Sequence, residues 1–468
     1  MNNLIKEVMI ISPPAKKVIE PNYDRPNFPR PALAYLKTYL SKHVDNVSIN
    51  ALDCKFERLS VEQAVSFIVH SKCDLICITA FTSEINSAMQ IASALKENNF
   101  KGKIVIGGVH ASALPIETME ESSHFDYLIA GEGEKPLLDL IESINSFKDL
   151  NLVPGLIYRE NNQIIKSSTF DLRFSVFNEI YKPDWSWFKR KPSELRVMAQ
   201  KGCPYTCDFC ANPNGRKTIK RDVDGIVSEI DEFYKKYDVT KISFDDEIFG
   251  LDTDYSVELI NKINQLNLPS PYLSIMAHAK CINYKLVEAF GNFNGTINIG
   301  LGMETGDEER LKKIGKSLSK TIIIDTVERL KKHRNILIEG LFIIGHPREN
   351  FKSALSSIFF AASLNIDVAI FGIMVPYPGT KIWKEMKEGK NDYTMVVDGW
   401  DEFNKQISSG FQLKNFKRWH LELLQFFGYN YFFFKRRKFL SWAKFVFARK
   451  HEIFFALRNF LGNMILRR

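Results

Sequence analysis

Long apolar runs are missing from this sequence. No stretch reaches the roughly 18 uninterrupted apolar residues of a membrane-spanning helix. The opening MNNLIKEVMIISPPAKK lacks an apolar core followed by a small-residue cleavage site, so a secretory leader is not expected and the cytoplasm is the expected location. Cysteine is scarce and odd in number, seven in 468 residues, which excludes a disulfide framework as the main stabilising device. Acidic side chains nearly vanish toward the end: from Lys414 onward 13 Lys and Arg face 2 Asp and Glu. The first 413 residues hold 50 basic and 53 acidic side chains, so the formal charge of +8 is local to the tail. A protein that binds nucleic acid over its whole surface is therefore not expected. No repeat at solenoid period is present either.

What is there fits a globular protein of two or three domains, with 45% hydrophobic and 25% charged residues. Short apolar runs from Val8 to Pro14, Val47 to Asp53, Asp74 to Ala80, Lys103 to Gly108 and Asp126 to Glu134 alternate with helical patterns. Runs without polar alternation imply strands covered on both faces, hence a parallel sheet with helices on both sides. Residues 159 to 192 read as a polar and aromatic connector. A second strand–helix series follows, with strands near Leu195 to Gln200, Lys241 to Phe244, Leu273 to Ala277, Thr296 to Leu301, Leu337 to Ile344 and Val368 to Val375. The expected fold is α/β: an N-terminal doubly wound, Rossmann-like parallel sheet, then a partial (β/α)6 barrel of TIM-barrel type, then a C-terminal helical segment. The expected boundaries are 1–165 for the first domain, 166–192 for a linker, 193–390 for the barrel and 391–468 for a helical, basic–aromatic region.

Cys203, Cys207 and Cys210 fall within eight residues, in the stretch Cys203-Pro-Tyr-Thr-Cys207-Asp-Phe-Cys210. Three thiolates in one loop after a strand suit a single metal centre. Structural zinc normally takes four protein ligands, and no further Cys or His lies nearby. A four-iron cluster held by three thiolates keeps one iron open. Cys54, Cys73, Cys77 and Cys281 are scattered and read as small buried hydrophobes.

Gly202-Cys-Pro-Tyr-Thr-Cys-Asp-Phe-Cys210 resembles the signature of radical S-adenosylmethionine enzymes. The resemblance implies a 4Fe–4S cluster on Cys203, Cys207 and Cys210, whose open iron binds S-adenosylmethionine and whose electron cleaves it. Phe209 matches the aromatic position near the adenine. Later segments are similar to the family's strand-end motifs in the same order: Asp245 and Asp246 in Ile242-Ser-Phe-Asp-Asp-Glu247, Glu304 in Gly300-Leu-Gly-Met-Glu-Thr-Gly306, Gly345 in Leu341-Phe-Ile-Ile-Gly-His-Pro347, and Pro376 in Val375-Pro-Tyr-Pro-Gly-Thr380. By resemblance these residues approach S-adenosylmethionine. Two positions depart from the pattern. Tyr205 and Thr206 stand where a basic residue is often found, and Met276-Ala-His278 replaces a frequent arginine at the third strand's end.

The first domain resembles the cobalamin-binding domain that precedes this barrel in a large subgroup. The matching residues are Ser12, Thr79, Thr82, Gly107, Gly108, His110, Gly131 and Glu132. The Asp-x-His-x-x-Gly loop that supplies a lower axial histidine elsewhere is absent after the first strand, and His110 reads as structural. Together these likenesses imply a cobalamin-dependent radical enzyme that methylates an unactivated carbon, one S-adenosylmethionine giving the methyl group and another the hydrogen-abstracting radical. A ring closure or rearrangement without methylation is the alternative, and an iron–sulfur or zinc-stabilised binding module is the non-enzymatic one. The implied partners are a small or lipid-like substrate and a reductant such as flavodoxin or ferredoxin. Aromatics interleaved with Lys435 to Lys438 in the tail suit either a helix lying on the inner face of the membrane or a packed helical cap. No nucleic acid partner is expected.

Overall fold

The computed structural model describes residues 4–15, 21–168, 176–396, 399–403, 410–448 and 450. Asn22–Gly202 and Asn212–Val239, with the N-terminal strand, form one compact unit; Cys203–Ala211 and the chain from Thr240 onward form another.

The first unit is built on seven strands: β1 (Glu7–Ser12), β2 (Ser48–Asp53), β3 (Leu75–Thr79), β4 (Lys103–Gly107), β5 (Tyr127–Ile129), β6 (Leu156–Glu160) and β7 (Gln163–Lys166). They lie in the order β2-β1-β3-β4-β5-β6-β7. The first five run parallel, as expected from apolar runs such as Val8-Met-Ile-Ile11, all buried. Helices between them carry their own start signals: Ser60 opens Val61–Ser71 with a capping box to Gln63. The last two strands correct the sequence reading, which made the chain from residue 159 a connector. β5, β6 and β7 pair antiparallel. Asn161 and Asn162 make the turn at φ 49° and 63°, the left-handed pair that a two-residue hairpin loop demands.

Beyond the sheet this unit turns on one buried cation. Arg221 and Glu229 are fully buried and paired at 2.9 Å. The guanidinium also donates to the carbonyls of Ile180 (2.9 Å), Met198 (3.2 Å) and Tyr181 (2.9 Å), while Trp185 Nε1 donates to Glu229 at 2.8 Å. The connector is thereby fastened to the helix Val223–Tyr237. The first barrel strand expected at Leu195 to Gln200 is broken into β8 (Leu195–Val197) and β9 (Gln200–Lys201), the latter antiparallel to β10 (Ile219–Lys220).

The second unit holds five consecutive parallel strands: β11 (Lys241–Phe244), β12 (Tyr272–Ala277), β13 (Thr296–Glu304), β14 (Ile336–Ile344) and β15 (Val368–Ile373). These are five of the six barrel strands expected from the sequence, the other being the shortened β8. Asp252, Asn283, Ser319 and Asn350 each cap the following helix with a side-chain oxygen. These caps fix where each loop at a strand's carboxyl end must stop. β15 would otherwise expose its backbone edge. The helix Arg418–Lys435 covers it: Gln425 Nε2 donates to the Phe371 carbonyl at 2.6 Å, and Tyr429 Oη accepts from its amide at 3.3 Å. The sequence made residues 391–468 a helical region; this is corrected by β16 (Tyr393–Met395) and β17 (Phe411–Leu413), which form an antiparallel pair ahead of that helix. No described helix is long and apolar enough to cross a membrane.

Arg221→Ala leaves Glu229 buried without its counter-charge and three carbonyls without a donor. Urea denaturation should show a loss of about 3–5 kcal/mol; a loss below about 1 kcal/mol would contradict the anchoring role.

Candidate functional site

The cysteine loop has no ladder of its own and is held by its neighbours in the second unit. Asp208 N donates to Ile314 O at 3.3 Å, and Ile382 N donates to Asp208 O at 3.2 Å. Lys381 Nζ reaches both Asp208 carboxylate oxygens at 3.1 Å. Cys210 N donates to Cys207 O at 3.1 Å, closing a turn within the motif. Gly315 has φ +72°, and a Cβ there would stand 2.6 Å from Thr206 O, so only glycine lets the two segments approach this closely.

His278, directly after β12, supplies a further hold. Its ring stacks on Tyr205 with centroids 4.2 Å apart and planes 9° apart. Nδ1 accepts from Lys280 N at 3.2 Å, which leaves the proton on Nε2, 3.0 Å from the Lys316 carbonyl. Burial pushes its pKa down to about 4, so the ring is neutral at ordinary pH. The departures noted in the sequence thus explain one another: Tyr205 and His278 pack together.

The three thiols share one electrostatic neighbourhood. Burial pushes Cys207 up to about 12, with the Lys316 ammonium pulling down and Glu304 and the other two thiols pushing up. Cys203 is raised by burial as well, again opposed by Lys316, with Cys210 and Glu247 adding to the rise. Cys210 is exposed. Lys316 and Glu304 form an ion pair beside the motif. Lys316 escaped the sequence reading; its signal was a lysine directly after a glycine in Ile314-Gly-Lys316. Among the described residues no three His, Cys, Asp or Glu side chains are placed to hold a single metal ion. Cys281, expected from the sequence to be a buried hydrophobe, is only partly buried and hydrogen-bonded to Tyr205; burial and then the nearby Cys203 raise its pKa. Three soft thiols in one eight-residue loop suit a cluster with an open iron.

The other residues expected near S-adenosylmethionine all belong to this unit. Phe209 is half-buried in the loop, Asp245 is half-buried and Asp246 buried directly after β11, and Pro376 is buried after β15. Glu304 ends β13 beyond a register shift, at φ 60°. Gly345 follows β14 at φ +89°, and its amide donates to Glu349 at 2.5 Å. Burial pushes Glu349 up to about 7 although Arg310 and two amides pull it down. Cys203, Cys207, Glu304 and Lys316 share one neighbourhood, in which Lys316 pairs with Glu304; Asp245, Asp246, Gly345 and Pro376 share the carboxyl ends of the same sheet.

In the first unit, Thr79, Thr82, Gly107, Gly108, His110, Gly131 and Glu132 follow or end β3, β4 and β5, three neighbouring interior strands, and so line the carboxyl-end edge of the sheet. Gly108, at φ +93°, has no room for a Cβ, which would meet Ala80 N, Ala80 O and Thr79 Oγ1 at 2.8 Å. Gly131 N donates to Ser112 Oγ at 2.9 Å, and Glu132 pairs with Lys201 at 3.6 Å. His110 is buried with Nδ1 3.3 Å from Thr82 Oγ1, and burial lowers its pKa to about 4. Ser12 stands apart from that set: its hydroxyl is buried and donates to Asp53 at 2.7 Å, tying β1 to β2. Sequence reasoning missed a charged cluster at this edge. Glu84 binds the Arg30 guanidinium with both oxygens (2.6 and 3.1 Å), Lys55 at 2.6 Å and Tyr23 at 3.0 Å. Burial would raise Glu84, yet Arg30 and Lys55 outweigh it and bring it to about 2. The segment after β1 is thereby tied to the segment after β3, where many nucleotide-tail sites lie.

The stack makes a distinction that can be measured. His278→Ala should shorten the survival of a reconstituted cluster under an iron chelator severalfold, followed by its visible absorbance, while Tyr205→Phe, which keeps the ring face, stays near wild type. Equal survival of His278→Ala and wild type would contradict the clamp.

Models of two domain families match the chain: the B12 binding domain over residues 26–141 and the radical SAM superfamily over residues 197–361. An uncharacterized methyltransferase of Pyrococcus horikoshii is 28% identical over 388 residues, 81% of this chain and 83% of its own. The anaerobic magnesium-protoporphyrin IX monomethyl ester cyclase of Rubrivivax gelatinosus is 25% identical over 392 residues, 79% of this chain and 69% of its own. Among solved structures, the radical S-adenosylmethionine methyltransferase TsrM of Kitasatospora setae, with cobalamin and a 4Fe–4S cluster bound, has a TM-score of 0.68 over 82% of this chain and 75% of its own. At 17% identity that likeness shows the fold. With a three-cysteine loop in a parallel barrel sheet and a Rossmann-like sheet ahead of it, the chain belongs to the radical S-adenosylmethionine enzymes that carry a cobalamin-binding domain.

Proposed function

We propose that this protein is a cobalamin-dependent methyltransferase that acts on an unactivated carbon of a small or lipid-like substrate. The observation that carries the reading is the clamped three-thiol loop, in a chain that also presents glycine-lined strand ends of a Rossmann-like sheet. Cys203, Cys207 and Cys210 would hold the cluster. When bound, the cluster, S-adenosylmethionine and cobalamin supply one-electron chemistry, the hydrogen-abstracting radical and the methyl carrier.

The chain's own residues bind and orient. Asp245, Asp246 and Glu304 offer carboxylates at strand ends, suited to the ammonium group of S-adenosylmethionine. Lys316 holds Glu304 in place and sets a positive charge beside Cys203 and Cys207. Phe209 offers a flat face to adenine, and the backbone at Gly345 and Pro376 suits the adenosine. Thr79, Thr82, Gly107, Gly108, Gly131 and Glu132 suit the cobalamin edge. His110, engaged with Thr82, and Ser12, engaged with Asp53, keep that edge in shape, and no histidine is assigned to cobalt. The electron donor is of the flavodoxin or ferredoxin kind, and the cytoplasm is the compartment that keeps such a cluster reduced.

Ring closure is the second reading, favoured by the likeness to the Rubrivivax gelatinosus cyclase. Products separate the two. Reduced, anaerobic enzyme with S-adenosylmethionine should form both 5′-deoxyadenosine and S-adenosylhomocysteine, and the triple change Cys203→Ala, Cys207→Ala, Cys210→Ala should bring both to background. 5′-Deoxyadenosine without S-adenosylhomocysteine would point to ring closure, and products that survive the triple change would contradict both readings.

A further inference from the structure

The helix Arg418–Lys435 is apolar on both sides. Leu421, Leu424, Gly428, Phe432 and Phe433 are buried. Gly428 lets the Phe371 ring come within 3.1 Å of where a Cβ would be. The opposite side repeats at helical spacing as well: Trp419, Leu423, Phe426, Phe427 and Phe434 are all exposed, Phe426 by 60%. A helix packed on one face normally turns charge toward water on the other. Here that stripe carries Asn430 and no ionisable side chain until Lys435.

The next helix, Phe439–Ala448, extends the same surface. None of its side chains is buried, and Leu440 and Phe447 are exposed by 82% and 72%. Phe434 joins the two helices through ring contacts to Phe439 (5.7 Å) and Trp442 (5.4 Å). A contiguous apolar surface of this kind marks an interaction site rather than ordinary exposure.

The rim decides the occupant. Lys435, Arg437, Lys444 and Lys450 are exposed around it. Glu422 is the sole acidic residue described from Lys414 onward, and Arg418 already pairs with it at 3.3 Å. Aromatic side chains beside a basic rim match the acyl–headgroup boundary of an anionic bilayer: the rings enter the interface and the ammonium groups meet phosphate. We propose that this face docks the protein on an anionic phospholipid membrane, with the two helices lying along the surface.

The docking is independent of the chemistry proposed above, and its test needs no turnover. Full-length protein is sedimented with vesicles of phosphatidylcholine alone or mixed with phosphatidylglycerol, at low and high salt. The protein should pellet with anionic vesicles, more at low salt, with a salt-resistant fraction left by the apolar contacts. Lys435→Glu with Lys444→Glu should weaken binding at low salt by roughly tenfold or more. Phe426→Ser with Leu440→Ser should remove the salt-resistant fraction, with thermal melting unchanged because all four side chains are exposed. Recovery in the supernatant with every vesicle, or equal binding to both lipids, would overturn the proposal. So would a dimer in sedimentation velocity that Leu440→Ser dissolves, since the face would then belong to a second copy.

Discussion

Three thiols act as one donor set only if the loop that carries them is held still, and here the loop borrows its rigidity. Asp208 is bound through its amide, its carbonyl and its carboxylate, to Ile314, Ile382 and Lys381 in turn. Tyr205 is pinned by a flat contact with His278, and Thr206 by the missing Cβ of Gly315. Each of these holds is modest, about 1 kcal/mol for a neutral hydrogen bond. They converge on one segment of eight residues, and metal binding would add to the stability of its shape.

The same economy of positions runs through both units. Apart from the cysteine loop, which follows the antiparallel β9, the candidate site residues stand at the carboxyl ends of parallel strands, where helix caps decide where a loop stops. Charges at those ends are paired within the protein: Glu304 with Lys316, Glu84 with Arg30 and Lys55, Glu132 with Lys201. A carboxylate already oriented by a lysine meets an incoming ammonium group with less reorganisation than a free one. The helix Arg418–Lys435 serves the second unit differently, closing the open edge of β15 with Gln425 and Tyr429.

Much of this was legible in the amino-acid order. The five parallel strands of each unit follow from apolar runs, and the cysteine spacing carried the metal chemistry. The hairpin β6–β7 was missed because its strands are short and their apolar residues are flanked by polar and charged ones; Asn161-Asn162 was the readable sign. The pair β16–β17 was missed because its strands are three residues long and far apart in sequence. Ser12 sits at the right strand end, but its hydroxyl is committed to Asp53, a contact across 41 positions that no motif encodes. The role of Lys316 and the partnership of Tyr205 with His278 escaped for the same reason: each depends on segments that only the fold brings together. Of the two readings of the tail, the packed cap matches the helix face on Phe371, while the opposite face stays exposed.

The central claim is that the three-cysteine loop is a cluster site in a cobalamin-binding enzyme. Metal analysis of the wild-type protein purified without oxygen, read together with its visible spectrum, tests it most directly. The account requires about four irons and four sulfides per chain after reconstitution, with a corrinoid spectrum beside the cluster's broad absorbance. Stoichiometric zinc with no iron would contradict it.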